Sequence, residues 1–411
     1  MSKPMGPIPP GFAADTDGML LIGGRRADAL VAEAGDTPLF VYDLAMIDAR
    51  IARFRAAFPG IHLHYALKAN PYPPLLRHMG DKVDGVDLAS GGELAIAREA
   101  GIDTAATSFA GPGKRDADLE AAIGAGVTLN LESEGEADRA LAIAGRLGIR
   151  PRLAVRVNPD FEIKGSGMRM GGGAKPFGVD AARVPALVQR IMAAEADWRG
   201  FHIFAGSQAL SAEALIEAQR ATLALAAELA KEAGAAPPLV NLGGGFGIPY
   251  FHGETALDAE AIGGELISVL RNRSQIIENT QFAIELGRWL VGESGVYLTR
   301  IVDRKQSHGK TFLVVDGGMH HQLAASGNFG QVVRRNYPVA IASRFGAAPE
   351  EEASIVGCLC TPLDRLADDV MLPAARPGDL VAIFLAGAYG RTASPQAFLA
   401  QQAARETVVG G

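Results

Sequence analysis

The feature that most constrains the fold is a rhythm of short β-prone runs at residues 61–67, 83–88, 106–110, 127–131, 152–158, 201–206, 239–243 and 281–286. Between most of them lie Ala-, Glu-, Leu- and Arg-rich stretches of helical period, at 92–100, 116–124, 134–147, 181–195 and 212–233. Strands alternating with helices imply a parallel sheet, and eight such units match a (β/α)8 TIM barrel. An open doubly wound sheet is the alternative, but it does not call for eight units, and no strand–GxGxxG–helix unit occurs. At 411 residues the chain exceeds one ordinary domain. After about residue 290 the helical period fades and β-rich runs take over, at 295–302, 311–315, 339–342, 353–357 and 380–385. They predict a second, mostly β domain of sandwich or barrel type. A strand at 38–42, ahead of a helix at 43–58 with Asp43 as N-cap, is expected to pair into it. The expected division is therefore 1–43 as a segment lending a strand to the β domain, 44–288 as the barrel, and 289–411 as the β domain.

Composition removes several functions. The net charge is −7 with no Lys/Arg block, which argues against nucleic acid and anionic membrane as partners. The start, MSKPMGPIPPGF, lacks an apolar signal-like core, and no apolar run approaches a membrane span, so a cytoplasmic enzyme is expected. The two cysteines, Cys358 and Cys360, are too few for a disulfide framework and too close for an ordinary bridge, which fits a reducing compartment. Together with His320 and His321 they raise a metal site as a minor alternative, but zinc-type ligand spacing is missing and no metal is expected. Residues 163–178 are too glycine-rich for a helix or strand and read as a flexible insertion, whose part 169–178 is expected to be a mobile lid rather than a phosphate cradle.

In a barrel the chemistry sits at the C-terminal ends of the strands. The first run delivers Lys68, and Asn70-Pro71 then stops it. A lysine after a buried strand is costly to desolvate, desolvation disfavours the ammonium, and a neutral amine is what attacks a carbonyl. The second run ends at Asp87, the fifth at Arg156, the sixth at Phe204 to Ser207, and the seventh in Gly243, Gly244 and Gly245. Bare backbone at a strand end forms a concavity suited to phosphate, although no Gly-Lys-Ser/Thr follows to make a P-loop. The eighth run carries Glu285, whose simplest explanation is an ion pair with Arg288 or another arginine; its functional reading is a partner for a protonated ring nitrogen. A carbonyl-binding lysine, a phosphate nest and such an acid together describe a pyridoxal phosphate pocket.

In order along the chain, HYALKANP, DLASGGEL, GSQ, GGGFG, ELGR, the CxxxD-type segment from Cys360 to Asp364, and Gly387-Ala388-Tyr389 resemble the fold-type III pyridoxal-phosphate decarboxylases. These include diaminopimelate, ornithine and arginine decarboxylases, and the likeness spans roughly residues 35–400. It implies a pyridoxal 5'-phosphate-dependent amino-acid decarboxylase, with Lys68 as the cofactor lysine. Gly243, Gly244, Gly245, Ser207 and Tyr389 would hold the phosphate, Glu285 the pyridine nitrogen, and Asp87, Glu93 and Arg156 the base of the pocket. It further implies a homodimer with shared sites, in which the partner subunit supplies Cys360, the proton donor to Cα, and Asp364. Arg288, Thr361 and Asp364 are expected on the substrate side.

Three departures stand out. The family's ring-stacking histidine is Phe204 here, with His202 two residues earlier; the usual proline of ELGR is Leu286; and the acidic residue that follows the cysteine in diaminopimelate and ornithine enzymes is Thr361, then Pro362. Without that acid a free diamino acid loses its charge partner. CTPLD is similar to branches beside acyl-carrier or exosortase-associated systems, one of which acts on a glutamyl group tethered to a carrier protein. An alanine-racemase-type enzyme would share barrel and cofactor but place an arginine at the ring nitrogen. A silent cofactor-binding homologue would be expected to lose Lys68, Glu285 or Cys360, and all three remain.

Overall fold

The computed structural model describes residues 2–162, 167–169, 171–331 and 333–411, and the chain divides into two compact units. One comprises Ile51–Gly247 and Ala256–Gly287; the other comprises Met1–Arg50, Ile248–Thr255 and Arg288–Gly411. Residues 44–50 and the excursion Ile248–Thr255, both placed with the barrel in the sequence reading, thus cluster with the second unit.

The first unit is a closed barrel of eight parallel strands: β1 (His62–Ala66), β2 (Gly85–Leu88), β3 (Thr107–Phe109), β4 (Thr128–Leu131), β5 (Arg152–Asn158), β6 (Asp197–Ile203), β7 (Leu239–Asn241) and β8 (Gln281–Leu286). β8 pairs with β1 and closes the ring. The helices have identifiable starts and stops. Ser133 and Ser211 accept the N–H of Glu136 and Ala214, and Gly148 and Gly234 end the same two helices in the left-handed conformation. β6 begins four residues before the expected run. Gly200 (φ +108°) marks a register shift after Trp198, and its backbone lies so close to Leu239 that a side chain would overlap the Leu239 carbonyl. The glycine hides the first half of the strand from a pattern search.

Barrel interiors are normally filled by bulky branched side chains. Here the N-terminal end of the barrel holds a cavity of about 390 Å³, lined among others by His62, Arg152, Arg199, Ser108, Asn130 and Asn241. It lies at the opposite end of the strands from Lys68, and its inner wall is a polar layer that supports the site described below.

The second unit is built on one long strand, Gly295–Ser307, which pairs antiparallel with Leu39–Asp43, Leu380–Ile383 and Lys310–Val315. Glu351–Val356 lies parallel to Lys310–Val315 and antiparallel to Arg365–Leu372. Several strands escaped the sequence reading, among them a small antiparallel sheet of Ala13–Ala14, Leu20–Ile22 and Arg25–Arg26. Arg405–Val409 pairs parallel with Leu39–Asp43, and Arg365–Leu372 carries two aspartates in its middle. Asp369 sits there at φ +46° beside a register shift, with its carboxylate on Lys310, while Asp368 is bonded by Arg365; local partners make a polar sequence tolerable in a strand.

Candidate active site

β1 ends one residue earlier than expected, at Ala66, and a 3-10 turn, Leu67–Ala69, presents Lys68. The Tyr65 hydroxyl donates to the Asn70 carbonyl at 2.8 Å and fastens this turn. Gly287, at the end of β8, packs against it with no room for a side chain; a Cβ there would stand 2.7 Å from the Ala69 Cβ. Lys68 is exposed, so the protein around it does not supply the desolvation anticipated from a buried strand end. Its Nζ lies 5.5 Å from the centroid of the Phe204 ring, which places an aromatic face beside the amine where the sequence lacks the usual histidine.

Below this pair lies a buried polar layer. Glu285 on β8 is 6 % exposed, with Oε2 at 2.9 Å from His202 Nε2 and 3.3 Å from Asn241 Nδ2. The His202 contact is close but not an aligned hydrogen bond, since neither ring nitrogen of His202 has a hydrogen-bond partner among the described residues. Burial opposes ionisation of Glu285, but His202, Lys68 and Arg156 outweigh it and hold the carboxyl below the usual carboxylate range. The bland reading of Glu285 as an arginine's partner is thus replaced by a histidine and an asparagine. Arg288 is engaged elsewhere, donating to the Tyr250 hydroxyl at 2.9 Å with its guanidinium 5.4 Å and 4.7 Å from the ring centroids of Tyr250 and Tyr389.

Asp87 is also buried. It receives Ser108 Oγ, Asn241 Nδ2 at 3.4 Å and His64 Nδ1 at 3.3 Å. Burial pushes the His64 imidazole down, but Asp87 and then Glu285 reverse this, leaving its pKa raised. Arg156 donates to Glu132 at 2.8 Å and lies 5.0 Å from the Phe177 ring. Glu132 also takes the N–H groups of Gly111 and Gly178, the latter at 2.7 Å. Burial raises the pKa of Glu132, but Arg156 and Lys114 more than offset it and hold it low. Glu93, by contrast, turns back to the Ala89 N–H at 2.6 Å as part of a helix cap, and burial lifts its pKa despite that bond and Lys68.

The glycine turn is only partly available to an anion. The Gly243 N–H donates to Asn241 Oδ1 at 2.9 Å, which removes it from the expected phosphate nest. The N–H groups of Gly244 and Gly245 meet no acceptor among the described residues. Both outer glycines are left-handed (φ +69° and +82°), and a Cβ on Gly243 would stand 2.6 Å from the Ile203 carbonyl oxygen. A Cβ on Gly244 would overlap the Glu285 carbonyl oxygen. Gly244→Ala is therefore expected to lower stability by about 1–3 kcal/mol or more, read as a fall in thermal midpoint.

Gly206–Ser207 pairs antiparallel with Met168–Arg169. Of the expected insertion, residues 163–166 lie outside the described residues, as does residue 170 of the expected lid. The Gly171 and Gly172 N–H groups donate to the Ala205 and Pro159 carbonyls and the Gly178 N–H to the Glu132 carboxylate, so these described residues are anchored rather than loose.

In the second unit, Cys360 is exposed on the loop 357–364, with Thr361 half-buried beside it. Asp364, expected to face substrate, is instead 3 % exposed and accepts the N–H groups of Met319 at 2.6 Å and Leu359 at 2.8 Å. Cys358 is a half-buried free thiol, pushed up to about 11 by burial and Asp364. His320 and His321 are fully buried, and His321 is bracketed by the Tyr297 hydroxyl and the Gln402 carbonyl. No cluster of three metal-ligating side chains occurs among the described residues.

Sequence reasoning missed Asn241, which joins Asp87, Glu285 and the glycine turn; its signal was a polar residue two positions before a glycine run and in phase with the strand's inward face. It also missed Lys114, fully buried on Glu136 and the carbonyls of Gly111 and Asn130. An exposed amine, two free backbone N–H groups at a turn without room for side chains, and a buried ionised carboxylate together fit a phosphorylated pyridine aldehyde.

Residues 44–292 match the family model described as "Pyridoxal-dependent decarboxylase, pyridoxal binding domain". The chain is 36 % identical over 371 residues to an L-glutamyl-[BtrI acyl-carrier protein] decarboxylase of Niallia circulans, covering 89 % of this chain and 86 % of that one. It is 32 % identical over 400 residues to a diaminopimelate decarboxylase of Aquifex aeolicus, covering 96 % and 92 %. Among solved structures, a diaminopimelate decarboxylase from M. jannaschii in complex with L-lysine superposes with a TM-score of 0.86 at 26 % identity, over 97 % of this chain and 92 % of that one.

Proposed function

The chain belongs to the pyridoxal-dependent decarboxylases, and on that premise we propose that it removes the α-carboxylate of an amino acid tethered to a carrier protein rather than of a free diamino acid. Its cofactor is pyridoxal 5'-phosphate. The observation that carries the substrate reading is the loop after Cys360. Thr361 and Pro362 stand where the diamino-acid enzymes keep an acid, Asp364 is turned inward, and the exposed Cys360, Pro362 and Leu363 carry no charge. A second substrate ammonium would meet no carboxylate on this loop, and an unpaired charge is rejected strongly. The Niallia circulans relative, named for a carrier-bound glutamyl group, supports the same reading.

When bound, the cofactor supplies an electron sink for the bond that breaks. Lys68 would hold it covalently through its amine. Glu285, kept ionised, would set a negative charge against the ring nitrogen, and Phe204 would offer the ring an aromatic neighbour. Gly244, Gly245, Ser207 and Tyr389 bind the phosphate, while Gly243 shapes their turn. Asp87 and Arg156 brace the floor, and Arg288 and Thr361 serve the substrate side. Cys360 Sγ delivers the proton that replaces carbon dioxide on Cα. We read the active form as a homodimer in which the cysteine loop serves the partner subunit's site, in a reducing cytoplasm that keeps the thiol free. No helix among the described residues is long and apolar enough to cross a membrane.

The test is carbon dioxide release by holoenzyme from free meso-diaminopimelate, lysine, ornithine, arginine and glutamate, and from carrier-bound aminoacyl thioesters. A thioester is expected to exceed every free acid by at least about 100-fold in kcat/KM, because the free acids lack both the carrier and a charge partner. Rapid turnover of one free diamino acid would sink the tethered reading.

A further inference from the structure

We infer that Asp364 is a positioning residue for Cys360 and makes no contact with substrate. The inference rests on the proton-donor role proposed above for Cys360. A carboxylate that receives a substrate ammonium must leave an oxygen open to the site. Asp364 leaves neither. Its Oδ1 takes the Met319 N–H at 2.6 Å and its Oδ2 takes the Leu359 N–H at 2.8 Å, and the residue is 3 % exposed.

These donors belong to two separate loops, 316–319 after the strand Lys310–Val315 and 357–364 before the strand Arg365–Leu372. The carboxylate therefore rivets one loop to the other, one residue before Cys360. The surrounding backbone tightens the same joint. Cys358 N–H donates to the Gly317 carbonyl at 3.2 Å, Gly357 N–H to the Asp364 carbonyl at 2.9 Å, and Thr361 N–H to the Leu359 carbonyl at 2.8 Å. Glycines line the slot on both sides, since a Cβ on Gly318 or on Gly357 would overlap the Asp364 carboxylate. Leu359 is buried and Cys360 exposed, so the turn between them aims the thiol outward. A donor that must reach one face of Cα depends on that aim. In the step it serves, the bond from Cα to the carboxylate breaks, carbon dioxide leaves, and a proton from Sγ forms the new Cα–H bond. The thiolate then takes a proton from water.

The experiment compares wild type, Asp364→Asn, Cys360→Ala and the double variant as holoenzymes. It measures kcat and KM for carbon dioxide release, the fraction of deuterium delivered to the wrong face of the product carbon in D2O, and the alkylation rate of Cys360 by iodoacetamide. Asp364→Asn is expected to lower kcat about 10–100-fold with KM nearly unchanged, because a misplaced donor costs rate rather than affinity. It should raise wrong-face deuterium, change the alkylation rate, and add no loss to Cys360→Ala. A raised KM with unchanged kcat, or losses that add in the double variant, would overturn the inference in favour of a substrate contact. Full activity of Cys360→Ala would remove the donor reading itself. The positioning of the loop is then judged by alkylation alone, and an unchanged rate overturns it. Asp364→Ser, which keeps a hydrogen-bond acceptor in a smaller side chain, replaces the asparagine variant if that one does not fold, with the same outcomes decisive.

Discussion

Replacing Lys68 with alanine is expected to cut carbon dioxide release by more than about 10³-fold, the scale on which an enzyme loses a covalent group. Lys68 sits on a turn fastened by Tyr65 and backed by Gly287, with its amine beside the Phe204 ring. A second lysine near the C-terminal ends of the strands, Lys114, cannot substitute. It is 4 % exposed and its ammonium is held by Glu136 at 2.7 Å and by two backbone carbonyls. Burial lowers its pKa against the pull of Glu136, and freeing its amine would break all three bonds. Lys68→Ala should leave the thermal midpoint of the apoprotein nearly unchanged, since the side chain it removes is exposed and acts on Glu285 and Glu93 only through its charge. Loss of fold together with activity would mean that Lys68 is structural.

Glu285→Gln is the second large effect. In the proposed mechanism the carboxylate is the charge that would keep the cofactor ring an effective sink, and removing one preorganised electrostatic partner costs about 10²–10³ in kcat. KM should move little. The same variant has a pH signature. The carboxyl of Glu285 is held below its ordinary range in the folded protein, so it contributes stability above the unfolded value of about 4.3 that is lost as pH falls through the folded value. Glu285→Gln should remove that part of the acid limb while leaving His202 with no carboxylate at 2.9 Å. An unchanged kcat would exclude Glu285 from the chemistry, whatever its part in stability.

Much of this was legible in the chain. Eight β-prone runs separated by helical periods point to a parallel sheet covered by helices on its outer face, and the number eight favours a closed barrel over an open doubly wound sheet. The positions that close a motif at a strand end, Lys68 after β1, Asp87 on β2, Glu285 on β8 and the glycines after β7, were readable for the same reason. What could not be read were contacts between strands remote in sequence. Asn241 and Asp87 are 154 residues apart, and only the closed ring brings their side chains together. The role of His202 was equally hidden, because an imidazole two residues before Phe204 has no local reason to meet Glu285. The direction of Asp364 depends on two glycines in separate loops, and a motif written as CxxxD does not say whether its acid faces out or in. The exposure of Lys68 was misjudged because a turn of three residues lifts it off the strand end.

The most direct test of the account is where the cofactor is attached. Holoenzyme reduced with borohydride, digested and mapped by mass spectrometry should carry the phosphopyridoxyl group on the peptide containing Lys68, and on no other lysine. A label on Lys114 or another lysine, or a fully active holoenzyme that takes no label at all, would contradict it.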